Sequence, residues 1–262
     1  MNLDYSDRSI LTMDFDIFEG ITSISAVIKS VRDGISDRVI DTVYFDASKS
    51  EKKSRELAFL RHASQELSFK LISVDAAFIH ELVSGNTHGG LVMKCHKRNY
   101  QSLNVKFLTS GNFYALIEGV EDPYNFGYSL RSLYAAGIDG IVLSQRNWLE
   151  ISGTVARSSA GTSELAPIAI SDPLEAVKLF KENGFEVVCA GIRDSISLYE
   201  YDFLKPTLLV IGGEKRGISR KLLDEADVTV RIPYAREFMG SLPSAAAVSV
   251  MGFEIANKKK LI

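Results

Sequence analysis

From Phe113 to the C-terminus, short β-branched runs alternate with stretches of helical spacing, and this alternation constrains the fold more than any other feature of the chain. FYALIEGV, IDGIVLS, FEVVCAGI, TLLVIGGE and VTVRIPY are apolar runs of strand length. Between them the spacing predicts a helix from about Phe126 to Ala136, closed by Gly137. A second helix is announced by Asp172 as cap, Pro173 at the first helical position and Glu175 two residues on; it runs through AVKLFKEN to Gly184. KRGISRKLLDEAD is amphipathic, and SAAAVSVMGFEIANKKK makes a final helix. Strands that are apolar throughout and separated by helices must be covered on both faces, which implies an α/β class with a mostly parallel sheet.

Residues Ile24 to about Val105 form a smaller α/β unit by the same reading. SISAVIKSVRDG and SEKKSRELAFLRHASQEL have helical spacing, whereas RVIDTVYFD, FKLISVD and GGLVMKCH are strands. Periodicity is lost between Asn99 and Asn112, and Gly111-Asn112 marks a turn. The boundary falls there, giving domains at 1–105 and 112–262. A chain of 262 residues accommodates two such domains without help from disulfides or metals.

Composition narrows the function. No apolar run reaches the roughly 18 residues of a membrane span, and the opening MNLDYSDRSILTMDFDIF carries acids where a secretory signal needs positive charge, so a soluble cytoplasmic protein without a membrane partner is expected. Cys95 and Cys189 lie far apart and outside any C-x-x-C pair, which signals neither a disulfide framework nor a metal site; both are expected in the core. A net charge of −3 is not that of a generic nucleic-acid binder, so any nucleic-acid binding would need a local patch. From Leu82 to Ile117 there is no acid, while Lys94, Lys97, Arg98 and Lys106 lie among His88, His96 and Tyr100. Charge alone leaves two readings: a solvated strand face, or a surface where Lys94, Lys97 and Arg98 track phosphates and bases stack on Tyr100. Lys258, Lys259 and Lys260 are expected to cap the negative end of the last helix.

In open parallel sheets ligands bind beyond the carboxyl ends of the strands. Three loops there have unusual composition. The first runs from Glu118 to Gly127 and leads into a helix carrying Arg131; if Asn125 caps that helix, Arg131 lies under two turns in. The second, Ile211-Gly212-Gly213-Glu214-Lys215-Arg216-Gly217, lets the backbone approach a ligand closely and fits neither the dinucleotide nor the P-loop pattern. The third begins at Ile232-Pro233-Tyr234 and continues through Ser241-Leu242-Pro243-Ser244-Ala245-Ala246-Ala247, whose small residues permit tight packing or close approach of a helix start.

In this order the three loops resemble the SpoU (TrmH) family of SPOUT RNA methyltransferases. Asn125, Gly127 and Arg131 match its first motif; Gly212, Gly213, Glu214, Gly217 and Ile218 its second; and Ile232, Pro233, Ser241, Leu242, Ser244, Ala246 and Ala247 its third. Arg157-Ser158-Ser159-Ala160-Gly161 and Glu164 also look like a family segment, and the likeness spans about Tyr114 to Lys258. Upstream, Ile24 to His96, ending in His88-Gly89-Gly90, looks more loosely like the family's ribosomal-protein-L30e-like substrate-binding domain.

The resemblance implies a SPOUT-type domain with a trefoil knot, a homodimer, bound S-adenosylmethionine, and methyl transfer to a ribose 2′-hydroxyl of rRNA or tRNA. By that correspondence Gly212, Gly213, Ile232 and Leu242 hold the cofactor, and Asn125, Arg131 and Glu214 lie near the reacting centre. One position departs: the family asparagine after Ser-Leu is Pro243, which has neither a side-chain amide nor a backbone N–H. That departure motivates an alternative, a catalytically silent RNA-binding protein with the same fold. A nucleotide-dependent enzyme of ordinary doubly wound fold is a further rival, but it lacks the loop spacing and the acid expected after a first βα turn. All four histidines, His62, His80, His88 and His96, precede the second domain, so its chemistry has no imidazole base.

Overall fold

Every neighbouring strand pair in the larger sheet runs parallel, as the alternation of apolar runs and helices requires. The computed structural model describes residues 15–83, 85, 87–108, 111–144 and 152–262, and these fall into two units.

The first unit comprises the described residues up to Asn99 together with residues 152–165. Its main elements are β1 (Phe15–Glu19), α1 (Gly20–Arg32), β2 (Ile40–Asp46), α2 (Ser54–Leu67), β3 (Lys70–Val74), α3 (Ala76–Leu82) and β4 (Leu91–His96). The strands form a mixed sheet in the order β1-β4-β2-β3, with only β2 and β3 parallel. Ile24, Val27 and Ile28 of α1 and Leu57 and Leu60 of α2 recur at helical spacing and meet the sheet in one core. Burying each such side chain is worth roughly 1.5–3 kcal/mol.

β1 lies upstream of the predicted start at Ile24. Its inward positions are Asp16 and Phe18, and a carboxylate on the buried face conceals the strand pattern. Asp16 is tolerated there because Arg38 Nη1 pairs with it at 2.6 Å. The same guanidinium pairs through Nε with Glu164 at 2.8 Å, and all three side chains are almost fully buried. Burial alone works to lower the Arg38 pKa, but Glu164 and then Asp16 outweigh it and hold the group firmly charged.

Glu164 lies in the second of two short helices, Ser152–Ser158 and Thr162–Leu165. Ala156 of the first joins the core of this unit, and a Cβ on Gly161 would come within 2.4 Å of Ala26 Cβ. The single boundary expected between 105 and 112 is therefore corrected on both sides. Residues 152–165 pack with the first unit, while residues 100–108 pack with the second, where Gln101 and Ser102 add a strand. Polar composition concealed both: the first segment is held by ion pairs and small residues, the second by backbone pairing.

The second unit contains β5 (Gln101–Ser102), β6 (Phe113–Glu118), α4 (Pro123–Ala135), β7 (Gly140–Leu143), β8 (Ile168–Ile170), α5 (Pro173–Glu182), β9 (Glu186–Ala190), β10 (Ile196–Ser197), β11 (Thr207–Gly212), α6 (Arg220–Asp224), β12 (Val228–Arg231) and α7 (Ser244–Lys258). The sheet order is β10-β12-β9-β11-β6-β7-β8-β5. Asp172 caps α5 through the amides of Leu174 and Glu175, as predicted, and Gly137 and Gly184 follow their helices with φ near +81°. On one face of the sheet Tyr114, Phe180 and Phe185 meet edge to face with centroids 5.0–5.4 Å apart. α4 and α7 pack against each other, with Ser132 and Ser249 hydroxyls bridging them at 2.6 Å.

Two local expectations change. Asp122, not Asn125, caps α4, accepting the Asn125 amide at 2.8 Å, because Pro123 then occupies the first helical position. Lys258, in the last turn of α7, and Lys259, its C-cap residue, stand at the helix end as expected, but their ammonium groups bond carbonyls outside the helix. Lys258 Nζ donates to the Tyr199 carbonyl at 3.1 Å, and Lys259 Nζ to those of Phe203 and Lys205 at 3.0 and 2.6 Å, fastening the end of α7 to the connection before β11. Cys95 and Cys189 are both buried, and burial pushes each thiol up to about 12.

Candidate active site

Because β12, β9 and β11 are adjacent and parallel, their carboxyl ends open on the same edge of the sheet. The loops leaving them enclose a cavity of about 560 Å³, within the range of sites for small organic ligands. Gly212, Gly213 and Glu214 line it from the second loop, and Ile232, Leu242 and Ser244 from the third. All four residues assigned to the cofactor by resemblance, Gly212, Gly213, Ile232 and Leu242, thus share one wall with Glu214.

The glycines are sterically required. A Cβ on Gly212 would stand 2.2 Å from the Gly217 carbonyl carbon, and one on Gly213 would stand 1.8 Å from the Gly119 carbonyl oxygen. Gly119 and Gly217 have φ of +79° and +65°. The Gly217 amide donates to the Gly213 carbonyl at 2.9 Å, closing a turn with Glu214 near its tip. Glu118, at the end of β6, accepts the Ser219 amide at 2.9 Å and binds the first loop to the second.

Two hydrogen bonds organise the third loop. The Leu242 amide donates to the Tyr234 hydroxyl at 3.1 Å, and the Ser244 hydroxyl donates to Glu214 Oε1. Tyr234 and Phe238 also stack at 5.8 Å. Arg193, Arg216 and Arg231 line the same cavity, so its polar side is predominantly cationic. Arg231 Nη1 donates to the Ser195 carbonyl, whereas the residues of Arg193 and Arg216 are exposed.

Asn125 and Arg131 are placed differently. Asn125 is half-buried in the first turn of α4, and Arg131 lies six residues further along, about 9 Å of helix rise. The Arg131 residue is exposed and neither belongs to the cavity wall. Tyr124, Tyr128 and Arg131 recur at four- and three-residue spacing, so they share one outward stripe of α4.

In the first unit the three residues assigned to RNA do not form one surface. Lys97 is exposed. Lys94 is half-buried, its ammonium 3.8 Å from the Phe15 ring centre and 3.9 Å from Asp41. Arg98 is buried, and its guanidinium donates to the carbonyls of Ser163 and Ile35 at 3.2 and 3.1 Å. Arg98 is corrected to a structural residue: an arginine in an acid-free segment has paired with backbone oxygens, which leave no mark in a charge pattern.

Sequence reasoning missed Arg193, Arg231 and the bonding role of Tyr234. The rule that located the other loops reaches them too, since Gly191-Ile192-Arg193 leaves β9 as directly as Gly212-Gly213 leaves β11.

Comparison with known proteins follows the same residues. Residues 112–253, more than half of the chain, match the SpoU rRNA Methylase family. A putative TrmH family tRNA/rRNA methyltransferase of Staphylococcus saprophyticus is 30% identical over 148 residues, 56% of this chain and 59% of that protein, so the match spans less than two thirds of the relative's length. The 23S rRNA (guanosine-2′-O-)-methyltransferase RlmB of Ralstonia nicotianae is 27% identical over 86% of this chain and 90% of its own. The crystal structure of an AdoMet-bound rRNA methyltransferase from Sinorhizobium meliloti shares the fold, with a TM-score of 0.76 at 22% identity over 98% of this chain and 94% of that one.

Proposed function

The chain belongs to the SpoU rRNA methylase family, and from that premise we propose that it transfers a methyl group from S-adenosylmethionine to a ribose 2′-hydroxyl of ribosomal or transfer RNA in the cytoplasm. The observation that carries the reading is the cavity at the carboxyl edge of β9, β11 and β12, walled by the second and third motif loops together.

The cavity fits the cofactor. Its volume suits a nucleoside with a side chain, and Ile211, Ile218 and Met251 give it apolar surface. Gly212, Gly213, Ile232 and Leu242 would hold S-adenosylmethionine there, mainly through backbone groups. When bound, it supplies a sulfonium methyl that needs no further activation.

The remaining task is to align a ribose hydroxyl and remove its proton. Asn125 and Glu214 are the polar side chains assigned to orient it. A guanidinium is a donor and a cation rather than a base, so the part of Arg131 is to stabilise the oxygen as negative charge develops, or to clamp a neighbouring phosphate. A phosphate oxygen or water then takes the proton.

The outward position of Arg131 supports a homodimer. With Tyr124 and Tyr128 exposed on its stripe, α4 carries an amphipathic surface suited to a second copy, and Arg131 would act at the partner's cavity. The first unit would place the RNA, with Lys97 among its exposed cations. The knotted path of the family belongs to the same proposal.

The test pairs binding with turnover. Arg131→Ala is expected to bind S-adenosylmethionine like the unaltered protein by calorimetry and to lose RNA methylation. Undiminished turnover in that variant would remove Arg131 from the mechanism.

A further inference from the structure

Position 243 precedes the last helix as its N-cap with a residue that can donate nothing. Pro243 has no N–H, and its side chain makes no capping bond; it contributes only its carbonyl, which accepts the Ala246 and Ala247 amides at 2.9 and 3.0 Å. The next residue, Ser244, is the first of α7, is 8% exposed, and lines the cavity. Its hydroxyl donates to Glu214 Oε1 across thirty residues of sequence. Ser249, one turn on, behaves as helical serines commonly do and donates to the Ala245 carbonyl of its own helix at 2.7 Å. Ser244 instead spends its proton on the second loop.

Glu214 needs such a partner. Its backbone is fixed by the turn that the Gly217 amide closes on the Gly213 carbonyl, but the residue is exposed and its side chain has several rotamers to choose from. A charge-assisted hydrogen bond from a nearly buried hydroxyl selects one of them, and the start of a 15-residue helix favours a carboxylate beside it. With Oε1 occupied, Oε2 is left as an acceptor for a ligand.

We propose that Ser244 is a positioning residue for methyl transfer: it holds the Glu214 carboxylate in the cavity, supplying from the first residue of α7 the donor that Pro243 cannot. The proposal rests on the reading of this cavity as the methyl-transfer site.

The test uses the full chain with Ser244→Ala, Ser244→Thr, Glu214→Ala and the Ser244→Ala/Glu214→Ala double variant, each assayed for RNA methylation and for S-adenosylmethionine affinity. Ser244→Ala is expected to lower kcat by about 10- to 100-fold, the range for losing a hydrogen bond to a charged group, with cofactor affinity within about three-fold of the unaltered protein. Ser244→Thr keeps the hydroxyl and should restore most of the rate. The double variant should be no slower than Glu214→Ala, because with the acceptor gone the hydroxyl has nothing left to position. Full activity in Ser244→Ala, or losses that multiply in the double variant, would overturn the proposal. Crystal structures of the unaltered protein and Ser244→Ala separate this from the functional reading: a Glu214 carboxylate that keeps its place without the hydroxyl refutes the positioning role at any activity, whereas an unaltered protein that transfers no methyl to RNA refutes the functional reading.

Discussion

Gly213 lies so close to Gly119 that a Cβ on the first would stand 1.8 Å from the carbonyl oxygen of the second. The loops after β6 and β11 therefore meet backbone to backbone, with no side chain to yield. Gly213→Ala should separate them, costing about 1–3 kcal/mol of stability as overpacking does and weakening cofactor binding at least as much as it destabilises the fold. Denaturant unfolding and calorimetry with S-adenosylmethionine check both halves; an alanine variant with unchanged stability and affinity contradicts the contact.

Tyr234 occupies the Leu242 amide, the group assigned by resemblance to the cofactor. If the ligand takes that amide, the phenol must first leave it. Tyr234→Phe removes the competitor and should tighten S-adenosylmethionine binding by a few-fold, about 1 kcal/mol for one neutral hydrogen bond. Weaker binding would mean instead that the phenol holds the third loop in its binding shape.

Arg38 joins Asp16 and Glu164 inside the first unit, and the pairings reach from β1 to residues 152–165. Removing one partner strands buried charge. Arg38→Met should destabilise this unit by about 3–5 kcal/mol, and Glu164→Gln by less, because Asp16 still pairs the guanidinium. Unfolding midpoints in urea distinguish these outcomes from the null effect expected of surface pairs such as Lys29–Asp33.

His88 accepts the Gly90 amide through Nδ1 at 3.0 Å, which requires that nitrogen to be unprotonated. Burial, with help from nearby His80 and Lys49, lowers its pKa below the ordinary 6.5. The unfolded chain then binds more protons than the folded one in the window just below that value, so this contribution is present above pH 6.5 and is lost as pH falls through the lowered value. Stability measured from pH 7.5 down to 5 should decline more steeply for the unaltered protein than for His88→Gln. Parallel curves would show that His88 does not carry the effect.

The second unit was legible because its strands are short, apolar and separated by helices with ordinary signals: Asp172 and Pro173 at one start, Gly137 and Gly184 at two ends. The site was legible through glycines that no other residue could replace. What the sequence hid has physical reasons. Asp16 breaks the apolar alternation of β1 because its partner, Arg38, is twenty-two residues away. Residues 152–165 leave the second unit for the first through ion pairs and small-residue contacts, which have no periodicity. Arg98 reads as a surface cation only until its carbonyl partners are seen. Arg131 faces outward because Phe126, Leu130 and Leu133 turn the opposite side of α4 to the core.

The most direct test of the account is transfer of labelled methyl from S-adenosylmethionine to unmodified total RNA, followed by nuclease digestion and separation of the nucleosides. Label is expected in a ribose 2′-O-methyl nucleoside, formed by the unaltered protein and absent with Arg131→Ala. Label on a base, or RNA left unlabelled by a protein that binds the cofactor, would contradict it.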